Sequence, residues 1–102
     1  MKVDALAGAQ VLKVLGEPVR WAIVQRLAVE DLCVCHLVDD LGLAQPLVSH
    51  HLRALRRAGL VTTEPCGAFT YYLLDRTALG SVAEELAALS TQPSRPRRRP
   101  CG

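Results

Sequence analysis

The sequence predicts a mainly α-helical domain interrupted by one β-hairpin. Three observations point there. Apolar residues recur at three- and four-residue steps through successive segments that open at a proline or close at a glycine. A stretch rich in β-branched and aromatic residues then breaks that period on either side of Cys66 and Gly67. Aromatic side chains are otherwise scarce, limited to Trp21 outside that stretch, so Leu, Val and Ala must build most of the core, and that favours helices.

The first helix is expected over residues 3–15, "VDALAGAQVLKVL", with Gly16 as its stop. Pro18 suits the first turn of a second helix, "PVRWAIVQRLAV", in which Val19, Ala22, Ile23, Arg26 and Leu27 share a face. Asp31 is placed to cap a third, "LCVCHLVDDL", ending at Gly42. The fourth, "QPLVSHHLRALRRA", has Pro46 near its start and Gly59 at its end. "LVTTEP" and "AFTYYLLD" form the hairpin, and "RTALGSVAEELAALS" the last helix, with Leu79, Val82, Leu86 and Leu89 in one stripe. The short link "GLAQ" between the third and fourth helices matches a helix-turn-helix. With a hairpin directly after it, the arrangement is a winged helix-turn-helix.

The chain has 102 residues, half of them hydrophobic, which suits one compact domain with its own core. Residues 1–90 are expected to form that domain. Residues 91–102, "TQPSRPRRRPCG", hold Arg95, Arg97, Arg98 and Arg99 and no acid, and their prolines and glycine disfavour helix and strand. They read as a basic tail of charge +4 on a body with eight basic and ten acidic side chains. No apolar run is long enough for a bilayer, and the N-terminal stretch is broken by Asp4, Lys13 and Glu17, unlike a signal peptide. The expectation is a cytoplasmic protein with no membrane partner. In that reducing setting the four cysteines, Cys33, Cys35, Cys66 and Cys101, are not expected as disulfides.

The fourth helix carries a functional signal. It holds Arg53, Arg56 and Arg57 and no acid inside an acidic body. Val48, Leu52 and Leu55 would face the core, which turns Gln45, Ser49, His50 and Arg53 outward. These side chains reach base edges and phosphates. Their place early in the second helix of the motif is where a recognition helix enters the major groove. Arg56 and Arg57 are candidates for phosphate contact. His51, next to the apolar face, is expected to be packed and hydrogen-bonded. The wing, near Pro65 to Ala68, lacks Lys and Arg, so its contact would run through Thr63, Thr70 or backbone. The tail can add a salt-dependent phosphate attraction.

Together, "LGEPVRWAIVQRL", "LCVCHLVDDLGLAQPLVSHHLRALRRAGLV" and the hairpin resemble the ArsR/SmtB family of bacterial metal-sensing repressors over roughly residues 10–90. The resemblance implies a homodimer paired through its first and last helices, bound to an imperfect palindrome in double-stranded operator DNA and released by a metal or metalloid. The sequence is consistent with pairing: the apolar stripes of the first and last helices exceed what one hairpin can cover, and two-fold symmetry suits two half-sites.

"LCVCHL" is similar to the arsenical-resistance branch and to the related cadmium and lead sensors. Soft thiolates select soft ions, so Cys33 and Cys35 are the candidate ligands. A helix N-terminus favours their thiolates, while Glu30 and Asp31 oppose them. Within a regular helix, residues i and i+2 do not face each other, so one ion could take both sulfurs only if the first turn were irregular. In the arsenical branch a third cysteine often follows three residues after the pair, and here Val38 stands there. Cys101 is the leading third-ligand candidate, with Cys66, His36 or no third ligand as alternatives. Trivalent arsenic or antimony is the expected inducer, with cadmium or lead as the alternative. The zinc branch's last-helix site is not matched, since no His follows His51. A thiol redox sensor is the main rival from another class. An enzyme is not expected: Cys33 and His36 lack an oxyanion donor and an orienting group.

Overall fold

The computed structural model describes the backbone of residues 2–93 and 95–101, and side chains from residue 8 onward within that span. In chain order the elements are α1 (Lys2–Leu15), α2 (Pro18–Leu27), β1 (Leu32–Cys33), α3 (Val34–Leu41), α4 (Gln45–Arg57), β2 (Val61–Cys66), β3 (Phe69–Leu74) and α5 (Arg76–Ser90). Among the described residues, no helix is long and apolar enough to cross a membrane.

Local chemistry sets the boundaries. Glu17 caps α2 by accepting hydrogen bonds from the Val19 and Arg20 amides, each at 3.1 Å, with Pro18 in the first turn. Asp75 does the same for α5, taking the Thr77 and Ala78 amides. Gly42 closes α3 in the left-handed region (φ 66), returning its amide to Val38 O at 2.9 Å. Ala44 then starts α4 after a link short enough to hold α3 and α4 as a helix-turn-helix. At the hairpin, Cys66 pairs with Phe69, leaving Gly67 and Ala68 as the two-residue turn. Gly67 alone takes positive φ there (61), the requirement of a turn whose first central residue is left-handed.

The core is continuous from the helices to the foot of the wing. Ile23 and Leu27 of α2, Leu37 of α3, Val48, Leu52 and Leu55 of α4, Leu60 just before β2 and Val61 at its start are all at most 2% exposed. Val48, Leu52 and Leu55 thus point inward as their spacing predicts. On α2 the buried set is Ile23, Val24 and Leu27, whereas Val19 and Ala22 are only half-buried. That helix also ends at Leu27, earlier than its apolar pattern suggests, and Val29 is exposed.

The third segment needs correction. Leu32 and Cys33 are strand, paired antiparallel with Tyr72 and Tyr71 of β3, which makes a three-stranded sheet of order β1-β3-β2. Helix α3 therefore begins at Val34 and its N-cap is Cys33, not a cap supplied by Asp31. Cross-strand pairing fixes Leu32 and Cys33 in extended geometry, overriding their place in a helical period. The fold is otherwise the expected winged helix-turn-helix.

A candidate DNA-reading helix and thiol site

Helix α4 lies between a buried and a solvent face. Val48, His51, Leu52 and Leu55 are buried. Gln45, His50, Arg53, Arg56 and Arg57 are exposed and Ser49 half-buried, with Gln45 Nε2 donating to Ser49 Oγ at 2.8 Å. Among the described residues none of Arg53, Arg56 and Arg57 is in an ion pair; the pairs present are Arg26–Asp40 and His51–Glu17. The open face is thus cationic, with amide and hydroxyl groups at its N-terminal end, suited to phosphate oxygens and base edges.

His51 anchors the opposite face. Its Nδ1 lies 3.3 Å from Arg20 Nη1 and 3.3 Å from Glu17 Oε2. Arg20 Nε also donates to Val14 O at 2.6 Å, so these side chains join α1, α2 and α4. Burial lowers the His51 pKa, and the charges of Arg20 and His50 add to that against Glu17. Burial on its own would raise the Glu17 carboxyl. The amides of Val19 and Arg20, with the charges of His51 and Arg20, outweigh it and hold Glu17 below its ordinary value. His51 is therefore a packed, hydrogen-bonded histidine, but sequence spacing did not identify its partners.

The thiol site forms where β1 turns into α3. Because Cys33 is extended (φ −91, ψ 169) and precedes the first helical turn, its thiol converges with that of Cys35 instead of diverging from it. The ligand atoms of Cys33, Cys35 and His36 all lie within 4.8 Å of one another. The two sulfurs thus lie close enough together to share one position without unwinding a turn, which removes the conflict expected from i and i+2 spacing. Cys33 is buried; Cys35 and His36 are exposed. The Cys33 amide donates to His36 Nδ1 at 3.1 Å, and Cys33 Sγ lies 3.2 Å from the same nitrogen. Tyr71 stands beside this group, its ring centroid 6.2 Å from that of His36.

The two thiols are not equivalent. Burial would raise the Cys33 pKa. Hydrogen bonds from the Cys35 thiol and from the amides of His36, Cys35 and Cys33 itself overcome it, so the pKa lies below the ordinary thiol value. Cys35 is pushed up, first by its hydrogen bond to Cys33, then by burial and the Cys33 charge, against the amides of His36 and Cys35. Two thiols and an imidazole make a donor set that fits soft and borderline-soft ions. Cys66 is exposed at the end of β2 and Cys101 beyond α5, and neither is part of this group. A shallow cleft of about 350 Å³ connects the two sites, bordered by Cys33, Cys35, Gln45, Ser49, Phe69 and Thr70.

The model of the family described as bacterial regulatory protein, arsR family, matches residues 17–63. An arsenical resistance operon repressor of Staphylococcus aureus is 32% identical over 85 residues, which are 83% of this chain and 82% of that protein. The chain belongs to the arsR family. A second relative, the HTH-type transcriptional repressor SmtB of Mycobacterium tuberculosis, is 47% identical over 67% of this chain but only 50% of its own length. Among solved structures, an ArsR-like transcriptional regulator from Rhodococcus sp. RHA1 superposes with a TM-score of 0.77 at 26% identity, covering 84% of this chain and 81% of that one. This arsR-family chain is accordingly a helix-turn-helix transcriptional regulator that binds operator DNA, and not an enzyme.

Proposed function

We propose that the chain is a cytoplasmic, homodimeric repressor that leaves its operator when Cys33 and Cys35 capture a thiophilic ion. The observation that carries this reading is the convergence of the two thiols at the start of α3, across a cleft from Gln45 and Ser49 of α4. Gln45, Ser49, His50 and Arg53 read the major groove of an imperfect palindrome, and Arg56 holds a phosphate. Helices α1 and α5 form the dimer contact. In support, Leu12, Leu86 and Leu89 are 45%, 47% and 68% exposed and leave an apolar surface for a second copy. Residues 1–90 act as the folded unit and 91–102 as a basic tail drawn to phosphates.

Trivalent arsenic or antimony is the inducer that best suits a thiolate pair, with Cys101 as the third thiolate. One observation favours a second reading. His36 completes the group around the pair, and a nitrogen donor beside two sulfurs suits a divalent ion such as cadmium or lead. In either case the thiols release their protons as the ion is taken.

The test is operator affinity by fluorescence anisotropy at fixed salt, with arsenite, antimonite, cadmium, lead and peroxide in turn. Arsenite- or cadmium-driven release that Cys33→Ser and Cys35→Ser abolish is the expected result. Cys101→Ser separates the two readings, because it should weaken the arsenite response alone. Release by peroxide only, or an unchanged response in both serine variants, sinks the proposal.

A further inference from the structure

His36 Nδ1 has a single lone pair, in the plane of its ring. A backbone N–H can only donate, so the 3.1 Å contact from the Cys33 amide makes Nδ1 the acceptor and places the ring proton on Nε2. That contact is half of a capping box; the His36 amide points back at Cys33 Sγ to make the other half. The nitrogen that caps α3 is therefore also the one that stands 3.2 Å from a candidate ligand sulfur. One lone pair cannot serve a backbone N–H and a cation together.

We propose that divalent-ion capture by Cys33, Cys35 and His36 takes Nδ1 away from the Cys33 amide, and that this uncapping of α3 is what weakens DNA binding. The inference rests on the divalent reading above. Its consequence follows from burial. Cys33 is 5% exposed, so its amide, once released, has little access to water as a replacement partner. The start of α3 must then shift to satisfy it. Leu37, fully buried one turn further along, packs in the same core as Val48 and Leu52 of α4. A shift at the cap thereby reaches the seat of the reading helix. Cys33 is also paired with Tyr71, so the wing strand feels the same change. His36 thus acts on DNA only through the cap: it is a positioning residue.

The experiment uses the full reduced chain and cadmium chloride as the probe. Near-ultraviolet thiolate-to-cadmium absorption reports ion capture, and amide exchange by NMR reports the cap. On cadmium addition the Cys33 amide should exchange at least about tenfold faster. Without any ion, His36→Ala should bind the operator roughly tenfold or more weaker. His36→Gln, whose amide oxygen is a standard acceptor at that position of a capping box, should recover most of the loss. The glutamine variant should also resist cadmium-driven release while still showing the absorption. Absorption with a Cys33 amide that stays protected overturns the inference and leaves the thiol site standing. So does a glutamine variant that releases as the wild type does. Absence of the absorption in the wild type overturns the thiol site itself, and the inference with it.

Discussion

The Arg20 guanidinium, on α2, lies 3.3 Å from Nδ1 of His51, a buried residue of α4. Glu17 Oε2 is equally close to that nitrogen. Neutral His51 accepts from Arg20 through Nδ1; protonated His51 can only donate there, to Glu17. The packed side of α4 is therefore expected to respond to pH. Burial holds the His51 pKa below its ordinary 6.5, so the unfolded chain takes up this proton first. Its contribution to stability is complete above pH 6.5 and is lost as pH falls from there through the folded-state value. Glu17 is held below its ordinary 4.5, so its contribution is present above pH 4.5 and is lost as pH falls through its own folded-state value. Urea midpoints measured between about pH 7.5 and 3 should show two successive losses, and His51→Gln should remove the upper one. A His51→Gln curve parallel to the wild type at all pH values would contradict this.

Arg53 is exposed on the open face of α4 and has no ion-pair partner among the described residues. Replacing it should leave folding intact and reduce operator binding. Arg53→Ala is expected to cost about 1–3 kcal/mol in affinity by anisotropy, with an unchanged urea midpoint. Arg56→Ala should act differently, lowering the salt dependence of binding by about one phosphate contact. Undiminished affinity in Arg53→Ala would mean that another face of α4 meets the DNA.

Leu52 is fully buried between α4 and the rest of the core. Truncation leaves a cavity beneath α4. Leu52→Ala should destabilise the fold by about 2–5 kcal/mol in denaturant unfolding, because lost transfer energy and cavity formation add. A cost below about 0.5 kcal/mol would be incompatible with a packed position.

Leu86 and Leu89 expose apolar surface on α5, and Leu12 does so on α1. A charge there is tolerated by a monomer but not across an apolar dimer contact. Leu86→Glu should shift sedimentation equilibrium toward monomer and weaken binding to a two-half-site operator more than to a single half-site. A dimer that survives Leu86→Glu and Leu89→Glu together would place the contact elsewhere.

Elements with a strong internal period were legible in the sequence. Helix α5 spans the same residues as its apolar pattern, and Pro46 and Gly59 bracket α4 as turn chemistry dictates. Strand β1 was not legible. Its two residues pair with Tyr71 and Tyr72, some forty positions later, and local propensity carries no trace of that partner. Asp31 then resembled a cap because nothing local showed that Leu32 and Cys33 would extend. The thiol geometry was lost with it, since the convergence of Cys33 and Cys35 depends on that extension. His51 was recognisable as packed from its place on the apolar face. Arg20 and Glu17 were not, because they come from another helix, thirty-one and thirty-four positions away. The one available signal for His36 was its position three residues after Cys33, the spacing of a capping box.

The pairing of β1 with β3 has a mechanical side. A hairpin of two strands alone is a weak structure in water, and a third strand stiffens it. Here the third strand is only Leu32 and Cys33, and it ends on a cysteine of the thiol group. The brace of the wing and the start of the thiol group are thus the same piece of backbone. Any residue change that tunes one retunes the other.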